Sequence, residues 1–233
     1  MVGPATEKKL KPLGIYTIGD LAQTELTVLR KRLGKHGETI WHFANGRNAD
    51  VVVPEAVANK GYSNSTTTSQ DIVSRSVGYS VLLSLCETVG MRMRRDGQSG
   101  SCITVHLRSS DFCNASHRVQ LHNATNITSE LFQVACKAFD EAWDGKTPLR
   151  QLGVQVTKLT EEAYQQYNLF SDISPIQYER KLRLDETVDA LRDRFGENII
   201  CRATFTNNKE ASMVGGLSKS RRTGVTKPIP KRF

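Results

Sequence analysis

No stretch of this chain approaches the ~20 consecutive apolar residues that a membrane-spanning helix requires, and no signal peptide opens it. That pattern points away from a membrane protein and a secreted one. Aromatic residues are few, at 7%, and apolar residues reach only 38%, enough for a core but not a rich one. The five cysteines, at 86, 102, 113, 136 and 201, are odd in number and scattered, which suits free thiols in a reducing cytoplasm. Clustered carboxylates are missing: the 24 acidic residues are spread along the chain. The five histidines have no convincing Ser or Cys partner arrangement, which argues against a recombinase or repair enzyme with its own nucleophile. A metal site is also disfavoured. Cys102/His106 and Cys113/His117 share a Cys-x3-His spacing, but "SCITVHLRSS" alternates like a strand. Four strand residues cover roughly 13 Å, too far for two ligands of one zinc.

What is present is positive charge. The 233 residues carry a net charge of +8, with a pI near 9.3, which favours a polyanionic partner, nucleic acid before membrane. The length allows one large or two small domains. The opening "GPATEKKLKPLGIYTIGDLA" reads as Gly3 and Pro4 in a tight turn, a short helix over Thr6–Leu10 ended by Gly14, and a second helix from Ile18. This is the later half of a helix-hairpin-helix, whose earlier helix would precede Met1. A glycine-bearing turn followed by a helix N-terminus offers amides to a phosphate, so Gly3 and Thr6 are candidate contacts. Gly34, Gly37, Asn45 and Gly46 punctuate further short helices up to residue 50.

An extended connector, 51–60, leads to a polar strand in "YSNSTTTS". A helix is expected over 71–95, with Val73, Val77, Val81, Leu85, Val89 and Met93 on one stripe. Strands follow in "CITVHLR" and "HRVQLH", a helix over 129–144, and a last strand in "LRQLGVQVTKL". The fold class is α+β, in the order β-α-β-β-α-β, with both helices on the apolar face of one sheet containing antiparallel pairs. The other face carries Thr104, His106, Arg108, Arg118, Gln120 and Gln155, with Ser109 and Ser116 beside them. Hydroxyls, amides and arginines suit phosphates.

After residue 160, "QYNLF" is a short apolar patch in a polar run. "LDETVDALRDRFG" reads as a helix capped by Asp185, with Leu184, Val188, Leu191 and Phe195 as the stripe that packs it on the preceding domain. "NIICRATF" reads as a short strand. Residues 208–233 are Ser-, Gly-, Lys-, Arg- and Pro-rich and read as disordered.

Several segments in order resemble the C-terminal half of a Y-family DNA polymerase of the DNA polymerase IV and UmuC type. "VGPATEKKLKPLGIYTIGDLA" resembles the thumb hairpin. "LRKRLGKHGETIWHFANGRNADVV" resembles the thumb helices and linker. "LCETVGMRMRRDGQSGSCITVHLRSSDF" and "LRQLGVQVTKL" resemble the little finger. The likeness runs over residues 2–205 and implies a thumb remnant at 1–50, a linker at 51–60 and a little finger at 61–160. Beyond these come a clamp-binding segment at 161–174, an accessory helix-strand unit at 175–207 and the tail. It implies a monomeric, cytoplasmic translesion polymerase of the SOS response, gripping primer-template DNA without sequence preference. The palm carboxylates that hold Mg²⁺ in such an enzyme are not in this chain, which should therefore be inactive alone. "QYNLF" resembles the Gln-x-x-Leu-Phe pentapeptide that docks on the bacterial sliding clamp, which implies Gln166, Leu169 and Phe170 as its anchors. The competing readings are a non-catalytic DNA- or RNA-binding adaptor and, more remotely, a recombinase or repair enzyme.

Overall fold

The computed structural model describes residues 2–47, 58–161, 175–196 and 199–205. The chain divides into two compact units, 1–56 and 57–233.

In the first unit, helix α1 spans Pro4–Leu10 and runs into a 3₁₀ turn over Lys11–Leu13. Pro4 occupies the first helical position, where its fixed φ suits a helix and its missing N–H costs nothing. Gly3 and Pro4 therefore begin the helix rather than form a tight turn before it, and Gly3 is the N-cap. Gly14 stops the chain at φ +76°, in the left-handed region. Helix α2, Ile18–Gln23, starts at a capping box: Thr17 accepts from the Asp20 amide and Asp20 accepts from the Thr17 amide. The Tyr16 and Thr17 amides hold the Asp20 carboxyl below its ordinary range. Helices α3, Leu26–Leu33, and α4, Lys35–Ala44, meet at Gly34, where φ is +63°. Gly37, expected as a breaker, lies inside α4. A Cβ there would stand 2.4 Å from the Leu29 carbonyl oxygen, so this glycine permits close α3–α4 packing. Leu10, Ile15, Leu21, Leu29 and Ile40 form the core.

The second unit is built on four strands: β1 Gly61–Ile72, β2 Ser99–Ser109, β3 Asn114–Thr125 and β4 Leu149–Thr160. Helix α5, Arg75–Arg95, connects β1 to β2, and α6, Thr128–Ala142, connects β3 to β4. The strand order is β1-β4-β2-β3 and every pairing is antiparallel. Each helix therefore spans a split crossover, with one strand inserted between the two it joins. Val81, Leu85, Val89 and Met93 of α5 and Leu131 and Phe139 of α6 bury against Ile103, Val105, Leu152, Val154 and Val156 of the sheet. Val73 is an exception to the expected stripe. The helix starts later than 71, at its N-cap Ser74, and Val73 stands 67% exposed before it. No helix among the described residues is long and apolar enough to cross a membrane.

Helix α7, Pro175–Phe195, corrects two expectations. Asp185 does not cap its own helix but lies mid-helix, where its Oδ2 accepts from the Thr128 amide at the start of α6, 2.7 Å away. The stripe expected to pack inward faces out, with Leu184 59% and Phe195 57% exposed. The residues that go in are Asp185 and Arg192, at 6% and 5%. The reason lies on the surface they meet. Arg94 and Glu87 of α5 are buried charges, which are costly unless paired. Asp185 and Asp189 pair Arg94, and Arg192 and Arg202 pair Glu87. The expected strand at 198–205 is also absent from its described part. Ala203–Phe205 is a 3₁₀ turn, and Phe205 buries against Leu83 of α5 with Phe132 of α6 beside it. This segment packs on helices, which offer no strand edge.

Candidate nucleic-acid interface

Strand register arranges the sheet's uncovered face in rows across β1, β4, β2 and β3. One row is Ser63, Gln155, Thr104 and Arg118. The next is Ser65, Gly153, His106 and Ser116. The third is Thr67, Gln151, Arg108 and Asn114. Alternation along each strand puts all twelve on the side opposite α5 and α6. None is acidic. Such a face needs no protein cover, since its polar groups are solvated or bonded to one another. His106 Nε2 lies 3.2 Å from Gln155 Oε1, and Gln151 Nε2 donates to Ser65 Oγ at 3.4 Å.

Of the expected contacts, Thr104, His106, Arg108, Ser116 and Arg118 fall in these rows. Gln120 lies one row further on, where its amide donates to Ser101 Oγ and the Leu121 carbonyl. Ser109 does not belong to the face. It is 7% exposed and its Oγ accepts from the Cys113 amide, so it closes the β2–β3 turn. Gly3 is exposed at the start of α1, but the Thr6 amide donates to the Gly3 carbonyl and is not available to a phosphate. Any amide offered there comes from Gly3 or Ala5. Gln166, Leu169 and Phe170 lie outside the described residues.

Sequence reasoning missed the β1 contribution of Ser63, Ser65 and Thr67, together with Gln151 and Asn114. The alternation of "YSNSTTTS" carried the signal, but not which strand β1 would adjoin. It also missed Phe112, which stands 63% exposed in the β2–β3 turn with φ +63°. The Arg108 guanidinium lies over its ring, 5.0 Å from the centroid, which limits where this cation can reach. Among the described residues, no group of three His, Cys, Asp or Glu could hold a metal ion.

A four-stranded sheet with both helices on one side and a cationic, carboxylate-free face on the other defines an α+β module with a surface open to polyanions. Comparison with known proteins makes the assignment specific. Residues 59–169 match the impB/mucB/samB family C-terminal domain, and residues 1–48 match the DNA polymerase-iota thumb domain. The DNA polymerase IV of Clostridium acetobutylicum is 34% identical over 210 residues, covering 90% of this chain and 52% of that protein. That of Acetivibrio thermocellus is 35% identical over 198 residues, covering 84% and 49%. The chain thus spans about half the length of these relatives. A solved Y-family DNA polymerase chimera shares the fold at a TM-score of 0.53, with 18% identity over 67% of this chain and 44% of that one. The chain belongs to the Y family of DNA polymerases and carries its thumb and C-terminal domains.

Proposed function

We propose that this chain is the DNA-holding and clamp-docking portion of a cytoplasmic translesion DNA polymerase. The observation that carries the reading is the twelve-position sheet face, polar, bearing two arginines and free of carboxylates. Side chains of this kind contact phosphates and hold position without reading sequence. A damage-tolerant polymerase needs that kind of grip. Its relatives named DNA polymerase IV favour this over a non-catalytic adaptor. The Mg²⁺ ions of nucleotidyl transfer would be held by carboxylates outside these 233 residues.

Arg108→Ala and Arg118→Ala should each weaken binding to duplex DNA uniformly across sequences. Each should reduce the slope of log K against log salt by about one. Neither should alter the circular dichroism melt, because both side chains lie on the uncovered face. Measuring against salt matters because residues 206–233 hold seven of the 32 basic residues and one of the 24 acidic ones, so +6 of the net +8. That segment adds its own salt dependence, on which the sheet's share is superposed. Slopes unchanged in both variants would refute the sheet-face reading. A second expectation concerns catalysis: primer extension by this chain alone should be absent with Mg²⁺ or Mn²⁺. Activity that follows the chain through purification would show that it holds a catalytic centre of its own.

A further inference from the structure

The polar face is not flat. Around Gly153 it dips into an open depression of about 240 Å³. The glycine is less tightly enclosed than its neighbours in the sheet. A Cβ on Gly100 would stand 2.4 Å from Val156 Cγ1, and one on Gly61 would stand 2.8 Å from the Val156 carbonyl oxygen. These two positions exclude a side chain by packing. A Cβ on Gly153 would stand 3.0 Å from Ser65 Cβ, a tight approach to which β1 must yield slightly, 3.5 Å from the Asn64 carbonyl oxygen and 3.6 Å from His106 Cβ. Its backbone is also not in the left-handed region that calls for glycine. Glycine weakens a strand interior, so its place here answers to the close approach of Ser65 and to the open space above it. What its missing side chain provides is the floor of the depression.

The walls are built symmetrically about that floor. Ser65 on β1 and His106 on β2 are the cross-strand partners of Gly153. Gln151 and Gln155 lie two residues to either side of it on β4. Gln151 donates to Ser65, and Gln155 meets His106, so each glutamine braces one wall. Arg108 is also part of the lining, and no carboxylate is. A concave site with a hydroxyl, amides, an imidazole and one guanidinium is complementary to a tetrahedral oxyanion, to which charge-assisted donors bond most strongly.

We propose that the depression seats one phosphodiester group of a nucleic-acid backbone, with Gly153 as its floor, Arg108 as its cationic donor, and Ser65, His106 and Gln151 as its walls. The seat rests on the sheet-face reading above and deepens it. It makes one phosphate position a fixed point of the grip, from which the other contacts are phased.

The test uses the full chain. Gly153→Ala should weaken duplex binding about tenfold and lower the salt slope by about one, with the sheet still folded. Inorganic phosphate should shift the His106 ring resonances of the unsubstituted protein and leave them in place in the variant. Gln151→Leu keeps the strand and removes a donor amide. It should weaken both ligands several-fold, so the seat remains testable if Gly153→Ala folds poorly. If Arg118→Ala weakens DNA binding while Gly153→Ala and Gln151→Leu do not, the seat is wrong and the sheet-face reading stands. If none of the three weakens it, both fail. If phosphate binds and is lost in Gly153→Ala while DNA affinity holds, the depression is a free-anion site, which overturns the proposal.

Discussion

Arg94→Met should cost the second unit about 3 kcal/mol or more. At ~2–4 °C per kcal/mol for a unit of this size, that lowers its melting temperature by about 6–12 °C. The side chain is 8% exposed and donates from all three of its nitrogens. Nε and Nη2 grip Asp189 bidentately, at 2.7 and 3.2 Å. Nη1 reaches Asp185 Oδ2 at 3.2 Å and the Asn126 carbonyl at 2.6 Å. Removing it leaves two carboxylates facing α5 and α6 with no cation, and the penalty of a stranded buried charge exceeds the worth of the pair. The alternative to global unfolding is physical and distinguishable: α7 can undock to hydrate Asp185 and Asp189. Hydrogen exchange of the α7 amides should therefore rise in Arg94→Met before exchange in the sheet does. Adding Asp185→Leu and Asp189→Leu should recover much of the loss, since an apolar trio of similar volume needs no partner. A melt within 1 °C of the unsubstituted protein in the single variant would mean that α7 is held by something other than these charges.

The same network marks where the sequence stopped being readable. The β-α-β-β-α-β order could be read because its signals are periodic: alternation in "CITVHLR" and "LRQLGVQVTKL", and one apolar stripe in each helix. These elements bury one side, and burying one side writes a period into the residues. Strand adjacency leaves no such mark. That β4 inserts between β1 and β2 is a tertiary outcome, and without it Gly153 cannot be placed between Ser65 and His106. Helix α7 failed for the opposite reason. Its periodic stripe, Leu184, Val188, Leu191 and Phe195, is real, but the helix docks through Asp185, Asp189 and Arg192. Nothing in "LDETVDALRDRFG" says that two acids and an arginine will find buried counter-charges on another element. Asp185 was legible as a capping residue because acids suit helix N-termini. The helix it caps is α6, 57 residues earlier in the chain. Ser109 failed on a smaller scale: alternation sets it on the side opposite Arg108, and the β2–β3 turn takes up its hydroxyl.

Charge is consequently used in two ways in the second unit. On the helix side, Glu87 and Arg94 are paired and taken out of solvent, fixing α7. On the sheet side, Arg108 and Arg118 remain accessible with no carboxylate in the three rows. A polyanion meeting the sheet side finds these two arginines with no acidic residue among the twelve positions, a surface that holds it without any base contact.

Phe170→Ala should reduce affinity for the bacterial sliding clamp about thirtyfold, the effect of roughly 2 kcal/mol. The motive is the pattern Gln166, Leu169 and Phe170 and its place in the chain. It lies within the connector between β4, which ends at Thr160, and α7, which begins at Pro175. Five residues precede it there and four follow, "EEAYQ" and "SDIS", mostly polar. An aromatic ring entering an apolar pocket buries on the order of 150 Å² or more, which makes it the main anchor. Leu169→Ala should cost somewhat less. Gln166→Ala should cost least, because a partner at a pocket rim can turn to water. DNA affinity should be the same in all three. The competing expectation is that these side chains pack on their own unit. In that case Phe170→Ala lowers the melting temperature by several degrees, and clamp binding, if any, does not depend on the ring. Surface-immobilised clamp and a thermal melt, run on the same preparation, separate the two: a stable variant that no longer binds supports docking, and an unstable variant that binds as before rules it out.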